Sequence, residues 1–243
     1  MIPEGQIPDG STLEIGSLLF EGIDQIDLTG PFEVFTRIPD ARVRLYGLTA
    51  SPVRDAGGLV LTPDATLSEA PQLDVLHVPG GPGQEALMHN GAVLDWLRGQ
   101  AAGAKLVFSV CTGALICGAA GLLRGRRATT YWTVLHLLPF FGATPVDARV
   151  VVDGNLVCAG GVTSGIDGAL QVAAILRGPK VAETIQLAMQ YAPDPPFDAG
   201  GPDRAPRGVV EAVRNAMADL TARRERTARG IAAEFGIAVP DKA

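Results

Sequence analysis

Leu106 to Leu123 runs for 18 residues without a charge. A run of that length belongs either in the hydrocarbon of a bilayer or in the interior of a folded domain. Ser109, Thr112, Gly113, Gly118 and Gly121 interrupt it. These positions favour a buried strand over Lys105–Val110, a turn at Cys111-Thr112-Gly113 and a buried helix over Leu115–Leu123. A short strand that is apolar on both faces belongs inside a parallel sheet.

The same alternation recurs along the chain. Leu13–Phe20, Arg42–Thr49 and Asp74–Val78 read as further strands. A helix is expected after Asp27, capped by Thr29, with Pro31 in its first turn and Pro39 beyond its end. Helical patterns cover 84–102, 165–176, 180–191 and 209–235. Gly57-Gly58 and Asp153-Gly154 each stand between two extended runs, the pattern of a hairpin. Together these predict an α/β chain: a mostly parallel central sheet with helices on both faces, a small hairpin and a long C-terminal helix. The expected boundaries are a flexible leader (1–12), a single α/β domain (13–206), and a C-terminal helix (207–243) packed on that domain or on a dimer partner.

Composition excludes several classes. Hydrophobic residues are 47% and charged residues 19%, which is far from the make-up of a disordered chain. A net charge of -6 with 5% aromatics argues against a nucleic-acid grip or base-stacking platform. Arg207 to Arg229 holds six arginines against Glu211, Asp219 and Glu225; this local excess reads as a solvated helix face. After Pro206, 37 residues remain, room for one long helix and not for a two-motif DNA-binding domain. Cys111, Cys117 and Cys158 form no CxxC pair, and His77, His89 and His136 have no HxxxH spacing. Neither a disulfide framework nor a metal site is expected. His77 and His136 lie in apolar patterns and His89 reads as solvated. Residues 1–12 carry no Lys or Arg, so no secretory signal is read there. The expectation is a cytoplasmic protein without a membrane span.

Three strand ends carry unusual chemistry, and ligands of such sheets bind outside the carboxyl ends of the strands. Cys111 stands at a strand-to-helix elbow, which exposes a nucleophile at the top of the sheet. A helix N-terminus there is expected to lower the thiol pKa and leave the sulfur largely ionised. Gly80-Gly81, after the Asp74–Val78 strand, serves either as a plain turn or as a source of free N–H groups facing a developing negative charge. Asp27 serves either as a helix cap or as the proton carrier near the sulfur. Thr112 is a cap or a substrate contact. Cys117 and Cys158 read as small buried hydrophobes.

Four pieces in order, QIDLTGPFEVF (25–35), DVLHVPGG (74–81), SVCTGALICGAAGLLRGRRATTYW (109–132) and GGVTSGIDGAL (160–170), resemble the ThiJ/PfpI group of the class I glutamine-amidotransferase-like superfamily. Within it the chain is most similar to isonitrile hydratases, which YAPDPPFDAGGPDRAP (191–206) and the single long helix after it also resemble. The resemblance implies a flavodoxin-like sheet, a homodimer, a cysteine nucleophile and no metal or organic cofactor. It also implies an isonitrile substrate and a cysteine thioimidate intermediate; neither nucleic acid nor membrane is expected as a partner, on the composition and the interrupted apolar run above. It places the nucleophile on Cys111, the acidic partner on Asp27 and the hydroxyl neighbour on Thr112. It places backbone donors on Gly81 and Thr112, and a loop packed near the sulfur on Gly160-Gly161-Val162. Three departures stand out. Thr112 replaces the His that follows the cysteine in protease-like members, Asp27 replaces a Glu of the chaperone and deglycase branch, and Tyr131-Trp132 replaces His-Trp. The rival readings are a sensor or regulator without catalysis, a glyoxalase-like lyase using the same cysteine, and a redox sensor built on an exposed low-pKa thiol.

Overall fold

The computed structural model describes residues 11–238. The expected leader falls mostly outside them. Strands β1 (Leu13–Leu19), β2 (Ala41–Gly47), β3 (Val53–Arg54), β4 (Val60–Leu61), β5 (Ala65–Thr66), β6 (Val75–Val78) and β7 (Leu106–Val110) come first in the chain. β8 (Arg127–Ala128), β9 (Thr144–Pro145), β10 (Val150–Asp153) and β11 (Leu156–Ala159) follow. The main sheet has seven strands in the order β10-β11-β7-β6-β1-β2-β5. Only the β10–β11 hairpin is antiparallel within it; the other neighbours run parallel. β3 and β4 form the separate small hairpin around Gly57-Gly58.

The strands are apolar on both faces because helices cover both. Leu13, Ile15, Val75, Leu106, Phe108 and Val157 face a core shared with α1 (Gln25–Phe35) and α5 (Ser164–Arg177). Helix α6 (Pro179–Ala188) packs beside α5. Leu18, Leu76, Val78 and Val107 face the opposite core, which holds α3 (Gly91–Gly103) and α4 (Gly113–Ala119). Helix α2 (Gln84–Leu87), a 3-10 segment (Trp132–Phe141) and α7 (Arg207–Glu234) close that side, with α7 packed on the 3-10 segment and α2 of its own chain. Every residue from Leu106 to Ala120 is buried, so the uncharged run is core. No described helix is long and apolar enough to cross a membrane.

Three local expectations are corrected. Helix α1 starts at Gln25 and is capped by Asp24, whose Oδ1 accepts from the Ile26 N–H at 3.2 Å. Thr29 lies inside it, bonded to Gln25 Oε1, and Asp27 sits in its first turn instead of ahead of it. The 84–102 helix is two pieces, broken at Met88–Asn90, where Asn90 caps α3. Helix α4 begins two residues earlier than expected and is only seven residues long.

Register brings the site together. Val78 of β6 pairs with Ser109 of β7, and Ala159 of β11 pairs with Val110. The residues that follow these pairs, Pro79-Gly80-Gly81, Cys111-Thr112 and Gly160-Gly161, therefore leave the sheet side by side. β1 sits between β2 and β6, where the winding of the chain reverses. That reversal leaves the crevice in which such sheets bind ligands.

Candidate active site

Cys111 is a non-glycine residue with φ +54°. L-residues rarely adopt this left-handed backbone, and such strain persists only where neighbours over-determine it. Here the Cys111 N–H donates to the Ala159 carbonyl at 2.9 Å, and the Thr130 hydroxyl donates to the Cys111 carbonyl at 2.7 Å. The turn lifts the side chain off the sheet and leaves the residue 6% exposed.

Asp27 is fully buried. Its Oδ2 accepts from the Gly80 N–H at 2.9 Å, and its Oδ1 has no hydrogen-bond partner among the described residues. The carboxyl faces the Cys111 side chain, close enough for each to perturb the other. Burial, then the nearby Asp24, pushes the Asp27 carboxyl well above the usual carboxylate range, against the pull of the Gly80 N–H and Cys111. Burial, then the Asp27 carboxylate, pushes the Cys111 thiol well above its ordinary value, while the Thr112 N–H and Arg224 lower it. The expectation of a freely ionised thiol is thereby corrected. A seven-residue helix offers little dipole, and desolvation beside a like-charged neighbour outweighs it. Cys111 and Asp27 face each other closely enough to titrate as a pair, each raised by burial.

The Gly81 N–H donates to Thr112 Oγ1 at 3.1 Å. Thr112 makes no side-chain cap of α4. Gly80 and Gly81 thus both spend their N–H groups inside the site, the first on Asp27 and the second on Thr112. Both positions need glycine. A Cβ at Gly80 would lie 2.6 Å from Thr112 N and Oγ1, and one at Gly81 would lie 2.3 Å from Asp24 N at φ +133°. Gly161 and Val162 flank the elbow on the other side, and Val162 packs against the apolar cluster that includes Cys111. A cleft of about 530 Å³ opens beside them, walled by Thr130, Tyr131, Gly161 and Val162 and bordered by Gly200–Arg204. Cys117 and Cys158 are fully buried away from it. No group of three or more His, Cys, Asp or Glu side chains that could hold a metal is present among the described residues.

One side chain enters the site without a sequence signal. Arg224, read from the sequence as part of a solvated face, is only 3% exposed. It donates to Gln84 Oε1 at 2.9 Å and to the Gly81 carbonyl at 3.0 Å. Its i,i+4 spacing could not show this, because the partners lie 140 and 143 residues away. His77 lies in the core, stacked on Phe108 at 5.1 Å, with Nδ1 2.8 Å from Ser17 Oγ.

A parallel α/β sheet with a strained cysteine elbow, a buried acid and a glycine turn at its winding reversal defines a class, and residues 15–175 match it: the chain belongs to the DJ-1/PfpI family. Among its relatives, the isonitrile hydratase of Pseudomonas putida is 51% identical over 221 residues, 90% of this chain and 97% of that one. Protein DJ-1alpha of Drosophila melanogaster is 30% identical over 183 residues, 73% of this chain and 84% of that one. The crystal structure of a ThiJ/PfpI family protein from Pseudomonas syringae matches with a TM-score of 0.88 at 38% identity, covering 92% of this chain and 93% of that one.

Proposed function

We propose that this chain adds water to an isonitrile, R–N≡C, and releases an N-substituted formamide, R–NH–CHO, with Cys111 as nucleophile and Asp27 as proton carrier. The likeness to the Pseudomonas putida isonitrile hydratase across nine-tenths of the chain carries this reading. The pairing of a buried sulfur with a buried carboxyl supports the roles.

The pair begins with one proton. The sulfur bonds to the isonitrile carbon while the proton moves to that same carbon, giving the thioimidate R–N=CH–S–Cys111. Water from the cleft adds to this carbon, and Asp27 takes one of its protons and passes it on to the nitrogen. The tetrahedral adduct R–NH–CH(OH)–S–Cys111 then collapses. The C–S bond breaks, the sulfur leaves with the electron pair, the hydroxyl proton passes to Asp27 and the formamide departs. Each turn restores the pair to one proton. Division between a sulfur nucleophile and an adjacent acid is the general pattern of covalent catalysis, and the placed proton contributes on the order of 10²–10⁴-fold. Thr112, Gly80 and Gly81 hold the pair in register, and Gly161, Val162 and Tyr131 line the space for R. A homodimer and a cytoplasmic setting belong to the same proposal, as does the division into one α/β domain (13–206) with the last helix docked on it.

The test is turnover of a simple aryl or cyclohexyl isonitrile with formamide detection, for wild type and Cys111→Ala in parallel. Formamide from the wild type alone is expected. Activity retained in Cys111→Ala overturns the scheme, and turnover of methylglyoxal in place of the isonitrile favours the lyase.

A further inference from the structure

We propose that Arg224, on the last helix, is a positioning residue for the Cys111–Asp27 pair: it clamps the Gly80-Gly81 turn and supplies the positive charge that balances the pair's single negative charge. This rests on the reading of Cys111 as nucleophile, but the test below is made on the thiol itself, so a protein inert to isonitriles still answers it.

The geometry is specific. An arginine that is 3% exposed must find partners for its fork of donors, because an unpaired buried charge is costly. Arg224 finds two: Gln84 Oε1 at 2.9 Å and the Gly81 carbonyl at 3.0 Å. The Gly81 carbonyl belongs to the same residue whose N–H bonds Thr112 Oγ1, and the preceding N–H bonds Asp27. One guanidinium therefore holds the turn that holds both neighbours of the sulfur. Helix α7 lies outside residues 15–175, the span matched by the family.

The charges facing the pair are few. Asp24, the cap of α1, brings a carboxyl to both members; among the described residues Arg224 is the cation acting on Cys111. Arg224 also feels Glu85, Arg223 and Tyr131, and Tyr131 in turn feels Cys111. Glu85 is itself held by the Thr227 hydroxyl at 2.7 Å, and Thr227 also meets His89 Nε2 at 3.1 Å. Burial lowers the Arg224 pKa, and the negative sulfur raises it; the cation and the anion stabilise each other. A lone carboxylate–thiolate pair in this site would lack that balance.

The experiment follows the rate of Cys111 alkylation by iodoacetamide against pH, with the modified peptide identified by mass spectrometry so that Cys117 and Cys158 do not interfere. Arg224→Met is expected to raise the midpoint by about one unit and to slow alkylation at neutral pH roughly tenfold, the usual scale for one nearby opposite charge. Arg224→Lys is expected to recover most of the shift. Gln84→Met, which removes one partner of the guanidinium, is expected to shift the midpoint the same way by less. An unchanged midpoint in a folded Arg224→Met overturns the proposal; where that variant does not fold, an unchanged midpoint in Gln84→Met overturns it. Equal shifts in folded Arg224→Met and Arg224→Lys overturn the assignment of charge.

Discussion

The Gly80 N–H donates to Asp27 Oδ2 at 2.9 Å, a contact between residues 53 positions apart. It ties the end of one strand to the first turn of the helix that follows another, and the second carboxyl oxygen has no hydrogen-bond partner among the described residues.

Gly80→Ala tests how tightly that contact is packed. The added methyl would lie 2.6 Å from both Thr112 N and Oγ1 and 2.9 Å from Asp27 Oδ2. The expected result is a loss of about 1–3 kcal/mol in stability by overpacking, with a larger fall in turnover than in substrate affinity. Urea titration and kcat against KM read the two effects.

Asp27→Asn should separate stability from activity. The folded Asp27 pKa is raised, so folding favours its protonated form. The stability this group contributes is present at acid pH and falls as pH rises from about 4 toward the folded value. At neutral pH the amide removes that cost and still accepts from the Gly80 N–H. A rise in Tm of roughly 2–4 °C, equivalent to about 1 kcal/mol, is expected by calorimetry, together with strongly reduced turnover.

The pH profile of kcat/KM in wild type should be bell-shaped. Below the lower limb the pair holds two protons and lacks a thiolate; above the upper limb it holds none and cannot protonate carbon. Because burial raises both groups, the bell is expected to lie above the range set by an ordinary carboxyl. In Asp27→Asn the carboxyl's limb should vanish, and a profile identical to wild type would remove Asp27 from the reaction.

His77 sets an acid limit on the fold. Burial pushes its pKa down to about 3 from an ordinary 6.5. The folded state keeps the ring neutral while the unfolded chain takes up a proton. Its contribution is complete above pH 6.5 and is lost as pH falls from there toward 3, at about 1.4 kcal/mol per pH unit. Denaturant titrations between pH 7 and 4 should show this slope, and His77→Phe should flatten it.

Thr112→Val leaves the buried Gly81 N–H without its 3.1 Å acceptor. A cost of about 1–3 kcal/mol is expected for the unpaired donor. Thr112→Ser keeps the hydroxyl and should retain most of the stability; the pair of melting curves distinguishes the hydrogen bond from the shape of the side chain.

Local pattern alone determined β1, β2, β6 and β7, the hairpins at Gly57-Gly58 and Asp153-Gly154, the long last helix and the cysteine at its elbow; the two-residue strands β5, β8 and β9 carry no such pattern. Apolar periodicity and glycine turns act between near neighbours, so they are written into short stretches of chain. Cys111, Asp27, Thr112 and the paired glycines could therefore be singled out before any contact was known. The observed start of α1 differs from the expected one because Asp24 and Thr29 are both capable caps, and the Asp24 N–H bonding the Gly80 carbonyl at 2.9 Å holds Asp24 at the cap. The break in 84–102 falls where Asn90 Oδ1 accepts from the Val93 N–H at 3.2 Å and His89 Nε2 meets Thr227 of α7 at 3.1 Å, the second partner being 138 residues away.

Only the tertiary structure decided the protonation of the site and the fate of Arg224. A pKa depends on how far a group is desolvated and on which charges face it, and both are set by the strands and helices that meet there. The sequence places Cys111 at a helix start, which suggests an ionised sulfur; the packing buries it against Asp27, and desolvation prevails. Arg224 looks like any other arginine of a charged helix, yet docking of that helix carries it under cover to a carbonyl 143 residues earlier in the chain.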